Sequence, residues 1–201
     1  MSYPKTLSIP EQKTPHFYMP AHTITWKQNF DALKNTMLSS DLDRFFELMQ
    51  CLKKKPKKVK KELEYFFIRY PTQPEVLNLK SYLFLLFKKV RKADKITEEN
   101  YHLNKENLFA KINYADLCIR KKRFDKVPKI FENASHLKAL YPEKSSFYVS
   151  EFRGFMVVMG FYFLAIKEKE KAICYHYLAY SVDKENPGVK VLGKKIYKKS
   201  F

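Results

Sequence analysis

Glycine is scarce in this sequence, and its scarcity excludes several classes of fold. Only 4 glycines occur among 201 residues, all of them after residue 150. So few glycines argue against an all-β fold built on tight turns, and against the glycine-rich loops that bind dinucleotides or nucleotide phosphates. The same scarcity predicts few left-handed turns before residue 150.

Cysteine is also rare, and no targeting or membrane-spanning segment is evident. Cys51, Cys118 and Cys174 lie far apart, which favours a reducing compartment over a disulfide framework or a zinc site. The longest apolar run, Phe155–Ile166, is shorter than the roughly 20 residues that span a bilayer. We therefore expect a cytoplasmic protein without a signal peptide, a membrane span, a metal or a cofactor.

Catalytic motifs are absent as well. The sequence contains no nucleophile elbow, no H-E-x-x-H segment and no paired-carboxylate motif. Its acidic residues are scattered, mostly beside lysines, which is typical of solvated helix surface. We expect no enzymatic activity and assign no catalytic residue.

Positive charge is abundant. The chain has 39 basic and 21 acidic residues, and its formal net charge is +18. Such an excess favours an acidic partner, namely nucleic acid, anionic lipid or an acidic protein. The alternative is that the lysine enrichment is purely compositional.

The first 39 residues differ in pattern from the rest. Prolines at positions 4, 10, 15 and 20 forbid a helix, so residues 1–22 are predicted to form an extended arm. Its apolar side chains allow it to dock, and disorder is the alternative. Residues 23–39, with Trp26, Phe30, Leu33 and Met37 at helical spacing, are predicted to form an N-terminal cap helix.

Residues 155–187 predict a helical hairpin with a polar turn at residues 167–171. Within it, small and apolar residues recur at a defined spacing, namely Met156, Met159, Gly160, Phe163, Ala172 and Ala179. This segment resembles the tetratricopeptide repeat (TPR), with Gly160 at the small-residue position that lets the second helix pack closely.

The resemblance extends to residues 40–187. The small-residue position of the first helix falls at Glu47, Ser81, Ala115 and Gly160, and the alanine position of the second helix at Val59, Ala93, Val127 and Ala172. Both series have separations of 34, 34 and 45 residues, and 34 is the length of this repeat. The longest separation predicts a longer second helix that continues through Leu137–Leu140.

The resemblance implies an all-α, right-handed stack of antiparallel helix hairpins, with about four divergent units and terminal cap helices. Residues 188–201 would form a basic C-terminal cap or tail. A helical bundle without repeats is the alternative fold.

By the same resemblance, the first helices would line a concave partner groove. The predicted lining includes Asn78, Tyr82, Leu85, Ile112, Asp116, Arg120, Val157 and Phe161. Because this lining is largely apolar, we expect it to be covered, and residues 3–20 of the arm are the predicted occupant.

Lysine clusters fall where the two helices of each unit should be joined. Stacked units would align them into a basic ridge, formed by Lys53, Lys54, Lys57, Lys58, Lys88, Lys89, Lys92, Arg120, Lys121, Lys122 and Arg123. Most aromatic residues have helical spacing and are expected on buried faces rather than on base-stacking surfaces.

The resemblance favours a protein-interaction scaffold or chaperone-like adaptor that binds a partner segment in the groove. The alternative is a helical-repeat protein that binds nucleic acid, such as RNA, through the basic ridge. A homo-oligomer is a further alternative.

Overall fold

The computed structural model describes residues 6–198, so residues 1–5 of the predicted arm and 199–201 of the predicted tail lie outside it. The chain divides into two compact units. The continuous unit comprises Asn29–Tyr114, and the discontinuous unit combines Met1–Gln28 with Ala115–Phe201. The boundary falls within one helix, so each unit is described separately below.

The continuous unit is built from consecutive helices. They are α1 (Asp31–Thr36), α2 (Ser39–Cys51), α3 (Pro56–Arg69), α4 (Pro74–Leu86), α5 (Val90–Leu103) and the first half of α6 (Leu108–Arg120). Pro56 and Pro74 begin α3 and α4, as the sequence predicted, because proline lacks only an N–H group that the first turn leaves unused.

The core of this unit is formed by apolar side chains from α1 to α4. Its buried members include Leu33, Phe45, Leu48, Val59, Leu63, Phe66, Val76 and Leu83. They recur at three- and four-residue spacing along each helix, which places them on one face. The burial of these faces against one another holds the helices together.

One carboxylate is buried beside this core. Asp41 on α2 is only 3% exposed. Its side chain accepts hydrogen bonds from the hydroxyl groups of Tyr70, at 2.8 Å, and Tyr65, at 3.2 Å. The Nε atom of Arg69 lies 2.9 Å from the same carboxylate. Three donors from α3 and its end therefore compensate the cost of removing this charge from water.

In the second predicted hairpin, the small-residue position of the first helix contacts the alanine position of the second helix, as expected. Ser81 on α4 is buried, and its hydroxyl donates to the carbonyl of Ala93 on α5 at 3.2 Å. The same hydroxyl lies 2.7 Å from the hydroxyl of Thr97. The small-residue and alanine positions of this hairpin therefore meet.

The discontinuous unit contains the second half of α6 and all later elements. These are α7 (Lys126–Ile130), α8 (Leu137–Leu140), β5 (Phe147–Tyr148), α9 (Val149–Ala165), α10 (Lys169–Val182) and α11 (Pro187–Tyr197). The predicted long helix through Leu137–Leu140 is wrong, because Glu132 and Asn133 adopt positive φ angles of 55° and 61°. That conformation ends a right-handed helix.

The same unit contains the N-terminal arm, which is folded into strands. β1 (Thr6–Ile9) pairs antiparallel with β4 (His22–Thr25), and β2 (Gln12–Thr14) pairs antiparallel with β3 (Phe17–Met19). β4 also pairs in parallel with β5. The all-α prediction is therefore corrected to a mostly helical fold with short strands.

The predicted cap helix over residues 23–39 is also corrected. Its first residues belong to β4, and its helix extends only over Asp31–Thr36. Thr23 and Thr25 are β-branched, so they suit a strand that has a partner available.

Four helix ends share one backbone geometry; the left-handed residue is Glu132 after α7 and a lysine at the other three. Lys88, Lys122 and Lys167 follow α4, α6 and α9 with φ angles of 57°, 57° and 68°. In each case the next residue donates to the carbonyl five residues earlier at 2.8 Å, which is the hydrogen bond of a Schellman motif. The prediction that few left-handed turns precede residue 150 is therefore wrong, because lysine takes the place that glycine usually occupies.

Candidate functional site

In the continuous unit, three predicted groove residues share one face of α4. Asn78, Tyr82 and Leu85 are spaced four and three residues apart, and Tyr82 and Leu85 are 37% and 43% exposed. The side-chain oxygen of Asn78 accepts hydrogen bonds from the amides of Asn100, at 2.9 Å, and Asn113, at 2.8 Å. An oriented amide thus lies beside two exposed apolar side chains.

The predicted groove residues of α6 behave differently from those of α4. Ile112, in the continuous unit, is only 8% exposed and therefore offers little surface to a partner. Asp116 and Arg120, in the discontinuous unit, form an ion pair one turn apart, with 2.9 Å between Arg120 Nε and Asp116 Oδ2. This pair is on a solvent-accessible part of the helix.

The predicted groove residues of α9 are covered by the chain's own C-terminal helix. A methyl group at Gly188 on α11 would lie 3.5 Å from Val157. Phe161 packs against a cluster that includes Leu192 of α11, and Lys195 Nζ lies 5.4 Å from its ring centre. α11 therefore occupies the surface that Val157 and Phe161 were predicted to present to a partner.

Gly160 is buried for a related reason. A methyl group built on it would lie 2.5 Å from Leu192 Cδ2. The glycine therefore permits the close approach of α11, and the prediction that α10 would be its closest neighbour is wrong.

The folded arm packs against other residues of the discontinuous unit. The ring of Phe17 lies 5.1 Å from that of Tyr175 on α10 in an edge-to-face arrangement. His22 lies 5.7 Å from Phe147 and 5.4 Å from Phe152. These contacts involve neither Val157 nor Phe161, so they do not support the prediction that the arm occupies the groove.

His22 is a titratable group of the arm whose pKa this packing changes. It is 1% exposed, and its Nδ1 lies 2.6 Å from the carbonyl of Pro20. Burial lowers its pKa to about 4, and the nearby His136 and Lys138 disfavour the charged imidazole further. The imidazole is therefore neutral at physiological pH and acts as a packed aromatic ring.

The predicted basic ridge falls in both units. In the continuous unit, Lys53, Lys54, Lys88 and Lys89 lie in inter-helix turns, while Lys57, Lys58 and Lys92 begin the following helices; all are exposed. In the discontinuous unit, Arg120 ends α6, Lys121 and Lys122 are exposed in the turn, and Arg123 is half-buried. Each set offers positive charge to solvent within its own unit.

Sequence reasoning missed an aromatic surface on the last two helices. Tyr177, Tyr180 and Tyr197 are 56%, 50% and 59% exposed. The buried positions of α10 are Ala172, Tyr175, His176, Leu178, Ala179 and Val182, so the other two tyrosines must face outward. The helical periodicity of α10 could have identified Tyr177 and Tyr180 as exposed. The expectation that most aromatic residues lie on buried faces is wrong for these tyrosines.

Within residues 6–198, no group of three or more His, Cys, Asp or Glu side chains could hold a metal ion. None of the helices in that range is long and apolar enough to cross a membrane. The groups described above offer hydrogen bonds, apolar contact and positive charge, which are the means of non-covalent binding.

No protein-family model matches the chain, and neither does any curated protein. It is similar to the solved structure described as "MamA RS-1 ArsTM double mutant", with a TM-score of 0.50 and 15% sequence identity. The similarity covers 79% of this chain and 85% of that chain. That neighbour is a TPR-like helical-repeat protein, so the chain has a mostly helical fold similar to that class.

Proposed function

We propose that this protein is a non-enzymatic, cytoplasmic scaffold that binds a segment of a partner protein on the exposed face of α4. The single observation that carries the proposal is the exposure of Tyr82 and Leu85 beside the oriented amide of Asn78. Tyrosine contributes a large contact area at low entropic cost, and an amide next to it can fix the register of a bound backbone.

The TPR-like fold supports this choice of surface. In that class, the first helix of each hairpin faces the partner, and α4 is the first helix of the Ser81–Ala93 hairpin. On α9 the corresponding surface is covered by α11, so within the described residues α4 offers the more accessible apolar strip.

The test is a selection of peptides that bind the full chain from a displayed library, followed by affinity measurements on variants. Tyr82→Ala and Leu85→Ala should each weaken binding of a selected peptide, and a hot-spot loss of ~2 kcal/mol corresponds to about 30-fold. Ile68→Ala, on α3, is the matched control because Ile68 is 80% exposed. Equal binding by all four proteins would refute the proposal.

A second candidate function is nucleic-acid binding through the basic ridge, and one observation favours it. Seven lysines occur in residues 53–61, and all seven are exposed. Within residues 6–198 these seven side chains form no ion pair. Like charges this close, at the positive end of the α3 dipole, are unfavourable unless an anion binds.

This candidate predicts that a labelled RNA binds with a steep dependence on salt. Lys57→Gln together with Lys58→Gln should reduce the affinity, whereas the exposed Lys105→Gln should not. Binding that is insensitive to the first pair of substitutions would exclude the ridge.

A further inference from the structure

Three exposed tyrosines of the discontinuous unit lie on α10 and α11, namely Tyr177, Tyr180 and Tyr197. The His176 ring lies 5.9 Å from Tyr180 and 5.6 Å from Tyr197, between ring centres. Tyr177 precedes Tyr180 by three residues, so both lie on the same side of α10. His176 itself is only 8% exposed, so its ring lies beneath the exposed rings of Tyr180 and Tyr197 that it contacts.

A close helix contact fixes this arrangement. A methyl group at Gly193 on α11 would lie 2.7 Å from His176 Nε2, closer than any side chain tolerates. The absence of a side chain at Gly193 therefore lets the imidazole lie directly against α11. This contact holds Tyr180 of one helix and Tyr197 of the other beside the same imidazole ring.

Exposed lysines lie on the same helix as Tyr197 or next to it in sequence. Five exposed lysines lie on or beside α11, namely Lys184, Lys190, Lys194, Lys195 and Lys198. Within residues 6–198, the ion pair found for this group is that of Lys190 with Glu185, at 2.6 Å. The nearby Asp183 forms its ion pair with Arg153, at 2.6 Å.

We propose that this tyrosine–lysine surface binds single-stranded nucleic acid. Exposed aromatic rings stack on unpaired bases, and adjacent lysines neutralise the phosphates that connect those bases. A protein partner fits the surface less well, because lysine is depleted from the cores of protein–protein interfaces. A duplex fits less well too, because its base faces are stacked on one another and only its phosphates would be engaged.

The inference is independent of the proposed scaffold function, which uses α4 in the other unit. It also differs from the basic ridge, which contains none of these tyrosines or lysines. The three surfaces can therefore be separated by substitution in the full chain.

The experiment measures fluorescence anisotropy of a labelled single strand of about 12 nucleotides, and of its duplex, at several salt concentrations. We expect the single strand to bind more tightly than the duplex. Tyr180→Ala and Tyr197→Ala should each weaken single-strand binding by about tenfold or more, whereas Tyr180→Phe should retain it because stacking needs only the ring. Replacing Lys194 and Lys198 by Gln should flatten the salt dependence, by about 0.7 in logarithmic slope for each phosphate that is no longer neutralised.

Matched controls are available on the other unit. Tyr82→Ala removes an exposed tyrosine of α4, and Lys105→Gln removes an exposed lysine that belongs to neither basic surface. Both should leave single-strand affinity within about twofold, and unfolding curves of every variant check that the fold is intact. The proposal is overturned if the single strand does not bind, if the duplex binds as tightly, or if Tyr180→Ala binds normally. It is also overturned if these substitutions weaken a selected peptide and leave the oligonucleotide unaffected.

Discussion

Replacing the lysines at three of the left-handed helix ends by glycine should stabilise the protein. Lys88, Lys122 and Lys167 each have a φ angle between 57° and 68°. This conformation costs a residue with a Cβ about 1–2 kcal/mol. Glycine removes that cost. It also loses more conformational entropy on folding than lysine does, which lowers the stability by about 0.5–1 kcal/mol. The expected net gain is therefore about 0.5–1 kcal/mol at each site.

The assay is urea unfolding of each variant, followed by far-ultraviolet circular dichroism. Lys88→Ala is the matched control for charge, because it removes the ammonium group and retains the unfavourable φ angle. Lys95→Gly is the control for position, since Lys95 is exposed within α5, where glycine should lower stability.

The decisive comparison is between Lys88→Gly and Lys88→Ala. The backbone argument requires the glycine variant to be the more stable of the two, by about 1 kcal/mol. If the two variants unfold at the same urea concentration, the left-handed conformation costs no more than the entropy that glycine loses, and the argument is refuted. If both gain equally over the native chain, the gain comes from reduced charge repulsion.

Three further predictions concern packing and charge. Gly160→Ala should lower stability by about 1–3 kcal/mol because its methyl group meets Leu192, and a second substitution, Leu192→Ala, should destabilise the Gly160→Ala chain less than the native one. Because His22 has a folded pKa of about 4 against an ordinary 6.5, stability should fall by up to ~3 kcal/mol as pH drops from 6.5 to 4, and His22→Phe should reduce that slope in urea titrations. Asp41→Asn should lower the stability by about 1.5–3 kcal/mol, because it replaces the ion pair with Arg69 by a weaker hydrogen bond. An unchanged urea midpoint would contradict this.

The helical hairpins could be predicted because their signals are local. Pro56 and Pro74 mark helix starts through their own chemistry, and the contact of Ser81 with Ala93 follows from a spacing that is readable in the sequence. Separations of 34 and 45 residues also occur between Lys88, Lys122 and Lys167, which have left-handed backbone conformations at helix ends.

The remaining features depend on partners distant in sequence. The strands of the arm have only three or four residues each, too few for an alternating pattern to identify them. The covering of Val157 and Phe161 depends on the position of α11, since periodicity identifies an apolar face but not its occupant. Of the residues predicted to line the groove, Tyr82 and Leu85 are exposed, whereas Ile112 is buried.

The parallel pairing of β4 with β5 has a consequence for the order of events during synthesis. Ile24 lies opposite Phe147, so the N-terminal strands are made long before their partner leaves the ribosome. Residues 29–114 form their own unit and can fold as they emerge, because their contacts are local. The arm has to wait until β5 and α10 have been made. Chains released early should therefore carry a folded middle and an unprotected N-terminus, which is the part that proteases would cut first.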